Sequence, residues 1–233
     1  MASAKKIDVT LEELMEAGAH FGHQSKRWNP LMKPYIYGEK DGVHIFDLAK
    51  TREALLEALE EITKAAKESK VILLVGTKKQ ASDKTKEIAE ATGMPYVAER
   101  WLGGTITNFE QMAKSIKRLE EMKKKTADGE YKDLTKMERL MKAREITKME
   151  RKFGGIAKLT KAPDMLVVID IKKDKGAVRE ARVAGIPVVG IADTNADPRS
   201  VDFPVPMNDD ATKALEFFLE LVGKAVKMGK GKK

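Results

Sequence analysis

The sequence contains no cysteine among its 233 residues, so it can form neither a disulfide nor a thiolate metal site. It also lacks a cysteine nucleophile and a G-x-S-x-G turn, which leaves covalent catalysis without a recognisable nucleophile. An absence of cysteine is typical of a reducing, intracellular setting. No apolar run approaches the roughly 20 residues of a membrane-spanning helix, and no signal-peptide core follows the basic start. We therefore expect a cytoplasmic protein with no membrane partner.

Histidine and aromatic residues are also scarce, with three histidines and 6% Phe, Trp and Tyr. Apolar residues nevertheless make up 42% of the chain, which is enough for a folded core. The length suits one large domain, or one domain that carries an insertion. Basic residues outnumber acidic ones by 44 to 36, a net charge of +8. This excess favours an anionic partner such as nucleic acid, although charge alone also serves solubility.

Short apolar runs alternate with helix-length segments along most of the chain. The predicted strands are "VILLVG", "MPYVAE", "DMLVVID", "IPVVGIAD" and "VDFPVP", and a β-hairpin is predicted in "YIYGEKDGVHIFDL". Strands that alternate with helices imply a parallel sheet with right-handed crossovers. We predict an α/β fold, a flavodoxin- or Rossmann-like three-layer sandwich with a mainly parallel sheet. It takes in residues 1–106 and 157–228, with an N-terminal helix capped by Thr10, and residues 229–233 form a flexible basic tail.

Residues 107–156 interrupt this alternation, because about fifty residues separate two strands where a crossover needs a dozen or somewhat more. Apolar residues recur at steps of three and four in two segments on either side of Asp128-Gly129. One stripe runs from Phe109 to Leu119, and the second includes Met137 and Met141. The pattern predicts an inserted antiparallel coiled-coil helical hairpin that projects from the sandwich.

The outer faces of this hairpin are rich in basic residues. The candidates for contact with nucleic-acid phosphates are Lys117, Lys123, Lys124, Lys125, Arg139, Lys142 and Arg144. Three adjacent lysines repel one another unless an anion accepts them, which favours phosphate contact. The alternative is a solvated helix surface on which acids such as Glu138 form pairs at i,i+4.

The loop "VGTKKQA" leaves a buried strand and enters a helix, the position where doubly wound folds hold nucleotides. Dinucleotide and P-loop sites need further glycines there, so that the backbone can approach the phosphates. Gly76 has no partner glycine, and Lys78 and Lys79 fill the loop. The sequence therefore argues against a free nucleotide, while both lysines suit the phosphates of a polymer.

Two aromatic residues each lie directly beside an arginine. Arg27-Trp28 has Lys26 and Lys33 nearby, and a second pair is formed by Arg100 and Trp101. A cation next to a flat ring suits phosphate contact and base stacking, so these six residues are candidates for nucleic-acid binding. The alternative is that each tryptophan packs in the core while its basic neighbour extends to solvent.

Metal ligands are a separate hypothesis. His20 and His23 lie three residues apart, and an acidic group occurs late in the chain, at Asp193, Asp197, Asp202, Asp209 and Asp210. A mixed His/Asp site for a divalent ion is chemically reasonable. The alternative is that Asp193 and Asp209 cap turns and the final helix. A metal-dependent hydrolase and a nucleotide-dependent enzyme on the same sheet remain competing hypotheses.

Several long motifs occur together in a fixed order. They are "LMEAGAHFGHQSKRWNPLMKPYIYG", "GVHIFDLAKT", "VILLVGTKKQA", "ERWLGGTITNF", "KMERKFGGI", "APDMLVVIDIKKDKGAVREARVAGIPVVGIADTNADP" and "VDFPVPMNDDA". In these motifs the chain resembles the family of the second protein of the small ribosomal subunit, in its bacterial form. The resemblance runs from about residue 8 to residue 226.

The resemblance implies a flavodoxin-like sandwich with a coiled-coil insertion and a structural, non-enzymatic role in translation. It implies partners: small-subunit ribosomal RNA between head and body, and neighbouring small-subunit proteins. These include the largest one, which recruits messenger RNA. It implies no small-molecule substrate and no required cofactor. A metal ion is associated with some members, and a divalent ion such as zinc or magnesium would then bind at His23, Asp193 and Asp209, with Asp210 as the next choice.

Overall fold

The structure, a computed structural model, describes residues 7–231. The first helix, α1, spans Leu11–Glu16 and begins at a capping box in which Thr10 and Glu13 bond reciprocally. The helix that the sequence predicts at this point is therefore confirmed.

A three-stranded antiparallel sheet follows α1, in the order β1-β3-β2. Its strands are β1 (Phe21–Gln24), β2 (Ile36–Lys40) and β3 (Val43–Phe46). Asp41 and Gly42 join β2 to β3 with positive φ angles of 52° and 77°, as a two-residue type I′ hairpin turn requires. The predicted hairpin is confirmed, whereas its third strand, β1, was not predicted.

The main sheet contains five parallel strands in the order β5-β4-β6-β7-β8. They span β4 (Ile72–Val75), β5 (Tyr96–Val97), β6 (Met165–Val168), β7 (Val188–Ala192) and β8 (Phe203–Pro206). Counted among themselves, the strands follow the 2-1-3-4-5 order of flavodoxin-like folds, which confirms the predicted fold class. The order reverses between β4 and β6, so their carboxyl ends form the switch point of the sheet.

Helices cover both faces of the sheet. The helices of the α/β unit are α2 (Leu48–Lys67), α3 (Lys79–Thr92), α6 (Lys175–Val183) and α7 (Thr212–Gly229). Apolar residues of α2, α3 and α7 form one core with the sheet, and α6 and the base of the insertion form the other. Side chains along β4 and β6 alternate between the two cores, as expected for strands that are buried on both faces.

The insertion consists of two helices, α4 (Phe109–Ala127) and α5 (Lys136–Phe153). Arg118 of α4 pairs with Glu145 of α5 at 2.7 Å, and Lys123 with Glu150 at 2.6 Å. The two helices therefore lie side by side, whereas their arrangement as an antiparallel coiled coil stays a prediction.

The predicted apolar stripe is only partly buried. Helix α4 buries Ile116 and Leu119, but the outer part of α5 leaves Met137 68% and Met141 60% exposed. The prediction that these two methionines pack in the hairpin is wrong, because no buried residue of α5 adds to a hairpin core.

The first two residues of the predicted basic tail, Gly229 and Lys230, are ordered. Helix α7 continues to Gly229, and the Lys230 ammonium donates to the Thr92 carbonyl oxygen at 2.8 Å. The prediction of a flexible tail from residue 229 is therefore wrong for these two residues, and residues 232–233 lie outside the described residues. Within residues 7–231, no helix combines the length and the apolarity needed to cross a membrane.

Candidate functional site

His23, Asp193 and Asp209 meet at the carboxyl edge of the main sheet. His23 lies on β1, Asp193 directly follows β7, and Asp209 lies in the loop between β8 and α7. One candidate ligand atom from each side chain lies within 4.8 Å of the other two. The structure thus brings together the three residues that the resemblance singled out as metal ligands.

Asp193 is the centre of this group, since it is only 1% exposed and accepts several hydrogen bonds. His23 Nδ1 lies 3.0 Å from its Oδ1, to which the Thr194 hydroxyl also donates at 3.0 Å. The Asp209 backbone N–H donates to its Oδ2 at 3.1 Å. The hydrogen bond with Asp193 raises the pKa of the His23 imidazole, against the opposing effect of burial.

β1 reaches the loop after β7 because Gly22 has no side chain. A Cβ at Gly22 would lie 2.5 Å from Thr194 Cγ2, closer than packed atoms approach. The His23 N–H donates to Thr194 Oγ1 at 2.9 Å, and the Asn29 N–H donates to the Thr194 carbonyl at 2.7 Å. These contacts orient His23 toward Asp193 across a sequence separation of 170 residues.

Lys78 occupies the centre of the acidic residues at this edge. Its Nζ lies 2.7 Å from Oδ1 of both Asp209 and Asp210, and 3.4 Å from Asp170 Oδ2. Burial opposes the charged form, but the hydrogen bonds to Asp209 and Asp210 outweigh it and raise the Lys78 pKa. The interpretation of Lys78 as an RNA contact needs correction, because its ammonium is already paired inside the chain.

Negative charge exceeds positive charge in this cluster. Burial, and then the charges of Asp193 and Asp170, raise the pKa of Asp209 to about 7. Asp210 is half-exposed, and its Oδ2 lies 3.4 Å from His23 Nε2. Four carboxylates thus face one ammonium and one imidazole, an arrangement that favours a further bound cation or proton.

The donor set fits a divalent ion. One imidazole nitrogen and two carboxylate oxygens are ligands that zinc accepts, and carboxylates also suit magnesium. The acidic cluster already holds one cation, the Lys78 ammonium, which contacts Asp209. The alternative that Asp209 caps the last helix is not supported, because α7 begins at Thr212 with Ala211 as its N-cap.

Gly76 has a packing role in the loop after β4. A Cβ at this position would overlap the Thr85 hydroxyl of α3, so the missing side chain lets the helix approach the strand. Together with the pairing of the Lys78 ammonium inside the chain, this leaves the hypothesis of a nucleotide-dependent enzyme without structural support.

The two tryptophans are held within the fold. Trp101 donates from Nε1 to Glu180 at 3.0 Å, and Trp28 packs against His44 with ring centroids 5.1 Å apart. Both are partly buried, which agrees with the packing alternative for each. His20 packs against Phe21, and burial lowers the pKa of His20.

The basic candidates divide into paired and unpaired residues. On the hairpin, Lys123 pairs with Glu150, Lys125 with Glu130 at 3.5 Å, and Lys142 with Glu145 at 3.2 Å. Surface pairing, as in the solvated-surface alternative, thus explains part of the lysine run. Within the described chain, the candidates that are exposed and form no ion pair are Lys26, Arg27, Lys33, Lys79, Arg100, Lys117, Lys124, Arg139 and Arg144.

Three acidic residues that the sequence did not single out form polar contacts at this edge or at the base of the hairpin, namely Asp170, Asp174 and Glu180. Asp174 is buried and accepts a hydrogen bond from the Thr77 hydroxyl at 2.9 Å. Burial raises the Asp174 pKa to about 6. The signal for the two aspartates was available, since both follow the apolar strand "MLVV" at its carboxyl end. Glu180 lies on α6, and nothing in its local sequence indicates its partners.

Asp174→Asn is expected to stabilise the protein more at pH 7.5 than at pH 4. The raised pKa means that the folded state holds this proton more tightly, so the native carboxyl costs stability as pH rises from about 4 to about 6. The effect can reach about 2–3 kcal/mol. Urea unfolding of wild type and variant at both pH values measures the difference. Asp133→Asn, at an exposed carboxyl in the hairpin turn, is the control, and a pH-independent effect of Asp174→Asn would contradict the prediction.

Comparison with known proteins agrees with the motifs. Residues 14–229 match the family model for ribosomal protein S2. The chain is 47% identical over 223 residues to small ribosomal subunit protein uS2 of Amoebophilus asiaticus, covering 96% of this chain and 71% of that protein. It is 49% identical over 216 residues to the protein of the same name in Chlorobaculum tepidum, covering 93% and 87%.

A third relative, small ribosomal subunit protein uS2 of Wolinella succinogenes, is 47% identical over 222 residues, covering 95% of this chain and 82% of that protein. The matches extend through both parts of the sandwich and through the insertion, in the order in which the fold assembles them. The chain therefore belongs to the ribosomal protein S2 family, whose members are structural proteins and not enzymes.

Proposed function

We propose that this chain is a structural component of the small subunit of the cytoplasmic ribosome and binds small-subunit ribosomal RNA. The observation that carries the proposal is the family match along nearly the whole chain. The net charge of +8 supports an RNA partner, because lysine and arginine release counterions when they neutralise phosphates.

In this proposal the sandwich, residues 1–106 and 157–228, is the scaffold, and the hairpin of residues 107–156 is an arm that reaches RNA. The exposed and unpaired basic residues are the contacts that we favour, because their charges are not neutralised within the chain. On the hairpin these are Lys117, Lys124, Arg139 and Arg144, and on the sandwich Lys26, Arg27, Lys33, Lys79 and Arg100. Contacts of this kind are largely independent of base sequence.

We further propose that the protein lies between the head and body of the subunit and helps to anchor the largest small-subunit protein for recruitment of messenger RNA. Contact with neighbouring proteins is supported by an apolar face of α1. Leu11 and Met15 lie four residues apart on this helix and are 43% and 61% exposed. Exposed apolar side chains on one helix face suit a protein partner better than a phosphate backbone.

The metal hypothesis belongs to the same proposal. His23, Asp193 and Asp209 would hold one divalent ion, zinc or magnesium, which would supply positive charge and no catalysis. An ion held by these residues would tie β1 to the loops that follow β7 and β8. Its role would therefore be structural.

Reversing charge at Lys117, Lys124 and Arg144 to glutamate is expected to weaken binding to small-subunit ribosomal RNA by about tenfold to a hundredfold at moderate salt. Each contact that is lost removes counterion release, so the slope of log affinity against log salt should also become less steep. Filter binding over a salt series measures both quantities. Sucrose-gradient sedimentation measures incorporation into the subunit.

The matched control reverses Lys213, Lys224 and Lys227, three exposed lysines of α7 without an ion pair in the described structure. Both variants change the net charge by the same amount, so a difference between them reports location. Equal affinities for the two triple variants would remove the hairpin from the RNA interface. If wild type itself neither binds the RNA nor sediments with small subunits, the proposed function fails.

A further inference from the structure

Lys78 contacts Asp209, which is also one of the three candidate metal ligands. The Lys78 Nζ lies 2.7 Å from Asp209 Oδ1, and Asp209 is also one of the three residues whose donor atoms lie within 4.8 Å of one another. Two cations that bind the same small carboxylate repel each other strongly in a buried site. Occupancy by a divalent ion and the Lys78–Asp209 contact are therefore coupled.

The surroundings of Lys78 allow its ammonium to leave Asp209 and still remain paired. Its side chain is 13% exposed, and Asp209 is 3% exposed, so solvent screens their contact little. Asp210 and Asp170 also accept from Lys78 or lie close to it, at 2.7 Å and 3.4 Å. The ammonium thus has two other carboxylates to bind when Asp209 is engaged elsewhere. It can give up one partner without becoming an unpaired buried charge.

We propose that Lys78 is a built-in competitor that sets the affinity of the site formed by His23, Asp193 and Asp209 for a divalent metal ion. With no metal, the ammonium neutralises Asp209 and keeps the edge of the sheet folded. A divalent ion binds by replacing the contact between Lys78 and Asp209. The inference rests on the proposed metal site and assigns the affinity-determining residue to the loop after β4, outside the set of ligands.

The test is zinc titration by isothermal calorimetry on full-length protein that has been stripped with a chelator. Lys78→Met removes the competing charge and keeps much of the side-chain length, so it is expected to bind zinc about tenfold more tightly than wild type or better. Lys78→Gln is the second variant, with the same expected direction. Lys78→Arg keeps the charge and should not gain affinity. Circular dichroism and thermal unfolding of each variant establish that it is folded.

Lys213→Met is the matched control, because it removes one exposed positive charge three residues beyond Asp210. Its zinc affinity should equal that of wild type. Affinities in Lys78→Met and Lys78→Gln that equal or fall below wild type would overturn the inference while leaving the metal site in place. An absence of zinc binding in every variant would overturn the metal site and the inference together. In either case the proposed RNA-binding role is tested separately by the hairpin variants.

Discussion

Gly155→Ala is expected to lower the free energy of unfolding by about 2–4 kcal/mol, among the largest effects of a single methyl group in this protein. Gly155 lies in the short 3₁₀ turn of residues 154–156 that follows α5. A Cβ at this position would overlap the carbonyl oxygen of Tyr96 and come within 2.9 Å of its ring. Because Tyr96 belongs to β5, its backbone cannot move aside without disturbing the sheet.

Gly154→Ala is a closely matched control. A Cβ at Gly154 would meet only Glu150 Cγ at 3.5 Å, an ordinary van der Waals distance. The backbone there is helical, so alanine should change the free energy of unfolding by less than about 1 kcal/mol. Urea unfolding of both variants measures the difference. Equal stabilities would mean that the exit of the hairpin does not pack against β5 in solution.

Glu180→Ala is the second large expected effect, a loss of about 2–4 kcal/mol of unfolding free energy. The Glu180 carboxylate accepts from Trp101 Nε1 at 3.0 Å and from the N–H groups of Gly104 and Ile106 at 2.8 Å and 3.0 Å. Thr107 donates to it as well, from its N–H and its hydroxyl. Alanine would leave all these donors without their acceptor.

The pKa of Glu180 agrees with this geometry. Burial alone would raise it, but the hydrogen bonds from Trp101 and the three backbone N–H groups lower the Glu180 pKa below its ordinary value. Glu180→Gln should lose less stability than Glu180→Ala. The glutamine carbonyl oxygen can still accept a hydrogen bond, whereas its NH₂ group cannot accept from the remaining donors. Glu216→Ala on the exposed face of α7 is the control. A stability of Glu180→Ala equal to that control would show that the loop is held by other contacts.

Both predictions concern the base of the hairpin. Glu180 holds the loop that leads into α4, and Gly155 seats the turn that follows α5. The hairpin is therefore attached to the sandwich at both of its ends, which limits its orientation relative to the sandwich. We expect both variants to reduce incorporation into small subunits through misplacement of the arm, with the basic residues themselves unchanged.

Much of the fold follows from local sequence. Buried strands, the capping box at Thr10, the turn at Asp41-Gly42 and the length of the insertion each depend on residues close together in the chain. Such features obey backbone geometry and apolar periodicity, which a sequence shows directly. The prediction for the outer half of α5 was wrong. Met137 and Met141 have helical spacing, but spacing cannot tell whether a second surface covers them.

The candidate site also has features that the sequence determined and features that only the tertiary structure decided. The sequence by itself determined the fold class, the basic excess and the candidate ligands His23, Asp193 and Asp209, the last through a resemblance carried by long motifs. Only the tertiary structure decided that Lys78 is paired inside the chain and that Glu180 holds a loop about 75 residues earlier in the chain. The physical reason is that a charged side chain has the same sequence signature whether it faces solvent or a buried partner. Its role depends on which distant elements the parallel sheet brings to the same edge.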